Sequence, residues 1–187
     1  MRIGVLTESD SGEPRVAIVP DIVKRYVSLG AEVAIQSGAG KQSGITDEAF
    51  EEAGAKIAGS ADEVAKDSDI VLKVRRPSAD ELKSLKKGAV VVAIMDPYGR
   101  ESEIRAMADA GVSAFAMELM PRITRAQSMD VLSSQANLAG YRAVIDGAAE
   151  FGKAMPMMTT AAGTVPAAVI IIGNARPNDS AASITAR

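Results

Sequence analysis

Between residue 2 and residue 117 the chain repeats one pattern: a short apolar run, a polar turn, then a stretch with helical period. The apolar runs are Arg2 to Thr7, Glu32 to Gln36, Asp69 to Val74, Ala89 to Met95 and Val112 to Met117. Strands that alternate with helices can pair in parallel only through helical crossovers, so the pattern predicts an α/β fold with a doubly wound, mostly parallel sheet. The run from Ala89 to Met95 is the most continuous, as suits a central strand covered on both faces. In such sheets ligands sit at the carboxyl ends of the strands.

The helices are signalled by their ends. Pro20 and Asp21 open one that Gly30 closes, with Ile22, Val23, Tyr26, Val27 and Leu29 as its apolar stripe. A further helix is expected from Thr46 to Ala53. Ser60 with Glu63 and Ser78 with Glu81 read as two capping boxes that start helices at about 61–67 and 79–86. Glu101 to Ala110 is another. The turn SGAGKQSG has glycines at 38, 40 and 44, which matches neither a P-loop nor a dinucleotide fingerprint, so it reads as a flexible turn.

Composition limits the chemistry. The net charge of −3 argues against a nucleic-acid surface. The 187 residues include no Cys and no His, so the usual transition-metal ligands and the commonest general base are missing. Chemistry would have to run on carboxylates, Lys, Arg, Ser or a bound cofactor. No apolar run approaches the roughly 18 residues of a membrane span. The N-terminus reads as a strand rather than a signal peptide, and the chain is expected to be soluble by itself.

Two groups of residues are candidates for a site. Arg122, Arg125, Gln127, Ser128, Asp130 and Ser133 crowd into one loop ahead of a helix running to about Phe151. The loop is either a surface segment whose Asp and Ser cap that helix, with Ser133 or Ser134 at its start, or a polar clamp. In a clamp an Arg–Asp pair fixes orientation and Gln offers both donor and acceptor. Arg15 and Lys73 lie just past strand ends and are either two exposed cations or a carboxylate-binding pair for a small acid. Glu8, Asp69 and Asp96 are further strand-end acids without an assigned role. Pro166 to Ile172 reads as a strand, and the tail after Gly173 is expected to be disordered.

The stretch PRITRAQSMDVLSSQANLAGYRAVID, together with MRIGVLTE, EPRVAIVP, DIVLKV, AMELMPRI and TAAGTVPAA in that order, closely resembles the NAD(H)-binding component of proton-translocating nicotinamide nucleotide transhydrogenase. That family belongs to the alanine dehydrogenase and transhydrogenase group. The resemblance covers residues 1 to about 172 and implies Rossmann-like lobes with NAD(H) in the cleft. It also implies hydride transfer to NADP(H) on a partner component, and a membrane component that couples the exchange to proton movement. Homodimerisation and a cytoplasmic place, peripheral to the inner membrane, follow from the same likeness.

In the similar loop the residues matching Arg122, Gln127, Asp130 and Ser133 contact the nicotinamide end, with Ser128 beside them. Arg122 and Asp130 would pair, and Gln127 and Ser133 would hydrogen-bond carboxamide or ribose. Arg15 and Lys73 match the pyruvate-binding cations of alanine dehydrogenase, whose catalytic His would fall near Met95. The implied layout is a first lobe over 1–132, a connecting helix over 133–152, and the start of a truncated second Rossmann lobe over 153–187. After VIIIG the family's glycine fingerprint is replaced by Asn174, Ala175, Arg176 and Pro177. A fragment, a frame-shifted copy or a split-gene product is therefore expected, one that binds NAD(H) weakly or not at all alone. Rival readings are a non-catalytic assembly module that docks on a full-length partner, and a small-acid dehydrogenase.

Overall fold

The computed structural model describes residues 1–121 and 123–150, and the backbone of 169–172 and 183–186. The chain divides into two compact units, Met1–Arg122 and Ile123–Arg187, so the division lies inside the polar loop.

In the first unit six strands form one sheet: β1 (Arg2–Val5), β2 (Glu32–Gln36), β3 (Lys56–Ala58), β4 (Ile70–Arg75), β5 (Val90–Ile94) and β6 (Ser113–Ala116). Their order is β3-β2-β1-β4-β5-β6, and every pair is parallel. This is the doubly wound sheet that the alternating pattern predicts. The winding reverses between β1 and β4, and it is at the carboxyl ends of strands beside such a reversal that sheets of this kind bind ligands.

The helices α1 (Pro20–Ser28), α2 (Asp47–Glu52), α3 (Ala61–Ala65), α4 (Ala79–Ser84) and α5 (Glu101–Asp109) cover both faces. Period-two alternation sends successive strand residues to opposite sides. Val5, Val33 and Ile35 pack with Val23 of α1 and Phe50 of α2. Leu6, Ala34, Val71, Val91 and Ala93 pack instead with Val64 of α3, Leu82 of α4 and Met107 of α5. The fit between α3 and β1 requires glycine: a Cβ on Gly4 would meet Ser68 Oγ and come within 2.9 Å of Val64 Cγ1.

Local chemistry explains where the elements differ from expectation. β1 stops at Val5 because the next free amide, Thr7 N–H, donates to Gln36 Oε1 at 3.0 Å instead of to a strand. Strand β3 has no signal in the sequence; it is a three-residue edge strand paired to Ala34–Gln36. Ser78 and Glu81 form a full capping box. Ser60 caps α3, but Glu63 reaches Gly59 N–H at 3.1 Å rather than the Ser60 amide, so that box is half made. In the glycine-rich turn Gly38 and Gly44 have φ of +78° and +73°. The Asp47 carboxylate takes the Ser37 hydroxyl and the Gly38 amide, at 2.7 and 2.9 Å. The turn holds itself together.

The second unit contains a 3₁₀ segment at Thr124–Met129, α6 (Val131–Glu150), and an antiparallel pair of β7 (Val169–Ile172) and β8 (Ser183–Ala186). The β8 strand departs from the disordered tail expected there. Its Ser-Ile-Thr-Ala sequence, with two β-branched residues, suits a pleated strand. The expected glycine-fingerprint positions 174–177 lie outside the described residues.

Candidate functional site

The first unit gathers its ionisable side chains where the winding reverses. Thr7 and Glu8 follow β1, and the loop to Pro20 brings back Glu13 and Arg15. Glu13 is buried and receives Arg15 Nε at 2.5 Å and an Arg15 terminal nitrogen at 2.6 Å. Its second oxygen also receives Arg75 Nε at 3.0 Å. Lys73, whose side chain is 0% exposed, donates to Glu81 Oε1 at 2.5 Å. The other Glu81 oxygen accepts Ser78 N–H at 2.6 Å, so one carboxylate both caps α4 and neutralises a buried lysine.

Neither Arg15 nor Lys73 is an exposed cation, and both belong to this one cluster. Three carboxylates (Glu8, Glu13, Glu81) face three cations (Arg15, Lys73, Arg75).

The carboxylates are tuned in opposite directions. Burial dominates at Glu8 and raises its pKa above 4.5, against hydrogen bonds from the Val74 and Arg75 amides and the charge of Lys73. Burial would also raise Glu13, but the Arg15 hydrogen bonds and charge, with Arg75 behind them, bring it below 4.5. Glu13 in turn raises the Arg15 guanidinium.

The β5 end is clamped from two sides. Glu118 Oε1 accepts Met95 N–H at 2.9 Å and also the Asp96 amide. Arg76 donates to the carbonyls of Met95 and Asp96 at 2.7 and 3.2 Å. Asp96 itself sits at φ +46°, a left-handed conformation that such bracing sustains. Asp69, by contrast, precedes β4. It accepts Arg2 N–H and the Lys86 ammonium at the amino edge of the sheet, away from the ligand edge.

The polar loop of the second unit is built differently. Asp130, not Ser133 or Ser134, caps α6: its Oδ1 accepts Ser133 N–H at 3.0 Å and its Oδ2 accepts the Ser133 hydroxyl at 2.7 Å. An acid at this position also meets the positive end of the helix. Ahead of the cap the loop coils as a 3₁₀ turn, with Asp130 N–H donating to the Gln127 carbonyl. Ala126 is buried, whereas Gln127, Ser128 and Ser133 are exposed. Arg122 lies outside the described residues, so its pairing with Asp130 is not described.

The structure thus places Gln127, Ser128, Asp130 and Ser133 within one turn and cap. Gln127 carries an amide that both donates and accepts, and Ser128 and Ser133 carry hydroxyls, of which that of Ser133 is bonded to Asp130. Sequence reasoning gave Glu8 no role, left Glu13 and Glu118 unremarked, and read Glu81 only as a cap. A strand-end position was the only signal for Glu8.

Among the described residues no helix is long and apolar enough to cross a membrane, and no group of three acidic side chains could hold a metal ion.

Comparisons with known proteins agree on ancestry. The chain is 50% identical to the first part of the NAD(P) transhydrogenase alpha subunit of Rhodospirillum rubrum, over 92% of this chain and 46% of that protein. It is 35% identical to an alanine dehydrogenase of Mycobacterium tuberculosis, over 98% of this chain and 50% of the relative. The crystal structure of a transhydrogenase from Sinorhizobium meliloti superposes with a TM-score of 0.81 at 60% identity, covering 89% of this chain and 49% of that one. The chain therefore spans about half the length of the curated relatives it matches. The family model described as alanine dehydrogenase/PNT, N-terminal domain, matches residues 4–139, and the chain belongs to that family.

Proposed function

We propose that this chain is the NAD(H)-binding part of a nicotinamide nucleotide transhydrogenase, and that the nicotinamide end is met by the loop from Arg122 to Ser133. The observation that carries the reading is the Asp130 cap. It fixes the start of α6 while the Gln127 and Ser128 side chains stay exposed on the turn before it. Gln127 and Ser133 hydrogen-bond the carboxamide or ribose, Ser128 lies beside them, and Asp130 sets the loop by pairing with Arg122.

A bound nicotinamide supplies the hydride chemistry, and the protein's task is to position and shield it. That task needs no general acid or base, so a chain without His suits it. NADP(H) binds on a partner component, and a membrane component couples the exchange to protons. The chain works as a homodimer, peripheral to the membrane through those components.

Titration with NADH, followed through backbone amide shifts of the whole chain, tests the reading. The amides of Gln127, Ser128 and Ser133 are expected to move together, and the response is expected to vanish in Gln127→Ala. Because the chain alone is expected to bind NAD(H) weakly, the titration runs to millimolar NADH, and shifts confined to other residues would overturn the reading.

Alanine dehydrogenase chemistry is the less supported reading. Arg15 and Lys73, which would bind the small acid, are already engaged by Glu13 and Glu81. An assembly role has one observation in its favour: Leu138, Tyr141, Val144 and Ile145 of α6 are all exposed.

A further inference from the structure

The carboxyl end of β4 is irregular. Leu72 pairs with Val92 and Arg75 with Ile94, so Lys73 and Val74 stand opposite the single residue Ala93. A bulge of this kind takes amides out of the ladder and re-aims neighbouring side chains. Glu8 takes up the amides: its Oε1 accepts Val74 N–H at 2.7 Å and its Oε2 accepts Arg75 N–H at 3.1 Å. The side chains aimed by the bulge are Lys73, on to Glu81, and Arg75, on to Glu13.

We propose that Glu8 is an acid-sensitive pin for this bulge: its carboxylate holds Val74 and Arg75, and with them both ion pairs, and its protonation loosens that end of β4. An ionised carboxylate accepts at both oxygens, whereas a protonated one turns one oxygen into an O–H donor that faces an N–H. At least one of the two amides then loses its partner, and the other loses the charge that strengthens its bond.

The charged groups around Glu8 come from three elements: Lys73 and Arg75 of β4, Glu13 and Arg15 of the loop between β1 and α1, and Glu81 of α4 beyond Lys73. Lys73 and Arg15 favour the ionised form, Glu13 opposes it, and burial opposes it most. As pH falls, Glu8 therefore takes its proton before an ordinary glutamate would, while Arg15 keeps Glu13 charged. The pin lets go before Glu13 is neutralised. The device does not depend on the nicotinamide reading.

The test is a pH titration of the full chain between about pH 4 and 8, following the Glu8 carboxyl carbon and the Val74 and Arg75 amides together. All three are expected to share one midpoint above 4.5. Below it, hydrogen-exchange protection at the two amides is expected to fall about tenfold, the scale of one hydrogen bond to a charged group. In Glu8→Gln the amide transition should disappear. Amides that titrate with the Glu13 carboxyl instead, that stay flat while Glu8 titrates, or that keep their transition in Glu8→Gln would overturn the proposal. Should Glu8→Gln fail to fold, the wild-type comparison of carboxyl and amide midpoints decides alone.

Discussion

The two candidate regions handle polar groups in opposite ways. At the carboxyl ends of β1 and β4 the chain spends every charge on itself: Glu13 on Arg15 and Arg75, Glu81 on Lys73, and Glu8 on two amides. In the loop ahead of α6 one acid does the structural task, and the side chains of Gln127 and Ser128 remain exposed. The first arrangement leaves its charged groups engaged within the chain, while the second is fixed at one residue and exposed at its neighbours. The difference teaches that a strand-end position, even where the winding of a parallel sheet reverses, does not by itself leave a side chain unpaired.

The contrast predicts a ranking of mutational effects. Lys73→Met should be the most damaging, because it leaves the Glu81 carboxylate, 12% exposed, without its cation. Breaking one side of a buried pair is worth about 3–5 kcal/mol, whereas replacing both sides with apolar groups can be near neutral. Urea denaturation should therefore show a large loss for Lys73→Met, with part of it restored by adding Glu81→Leu. A loss below about 1 kcal/mol, the scale of an exposed pair, would move Lys73 back among candidate ligand groups.

Opposite pKa shifts give opposite pH dependences. The folded pKa of Glu13 lies below 4.5, so its contribution to stability is present above the unfolded value and is lost as pH falls through the folded one. That of Glu8 lies above 4.5, so its contribution is present below the unfolded value and is lost as pH rises through the folded one. The β4 pin thus tightens as Glu8's share of global stability declines, because burial of its charge outweighs the two amides. Denaturation midpoints from about pH 3 to 7 should show that Glu13→Gln removes a loss below 4.5 and Glu8→Gln removes a decline above it. The same slope change in both variants would refute the assignment.

Much of this architecture is written locally, and the parts that are not share a cause. Apolar runs and caps act within a few residues, so the long strands, α1 and the Ser78–Glu81 box could be read directly. The ionic cluster could not, because Glu8 meets Val74 across 66 positions and Arg75 meets Glu13 across 62. Such pairs exist only after β4 has been laid beside β1. Edge strand β3 escaped for want of length, and α6 was started too late because Asp130, Ser133 and Ser134 all suit a cap. The polar loop was legible as a cluster of types. The geometry adds the division of labour within it, with Asp130 inward on the helix and Gln127 outward.

Replacing Asp130 with Ala should lower the stability of the second unit by about 1 kcal/mol, the usual value of a cap. Faster amide exchange in the first turn of α6, with β1–β6 unaffected, would report it. Unchanged exchange there would mean the cap does not set the helix start.

The smallest structural effect should accompany the largest functional one. Gln127 is exposed, and exposed substitutions away from special features usually change stability by less than about 0.5 kcal/mol. Gln127→Ala should therefore melt with the wild type yet lose the NADH-induced shifts at Ser128 and Ser133. That pairing separates a site from a scaffold, since a residue that merely supports the turn would lose both together. If Gln127→Ala instead unfolds α6 while a stabilised variant still responds to NADH, the loop belongs with the strand-end cluster as structure. The nicotinamide contact would then have to be sought elsewhere in the chain.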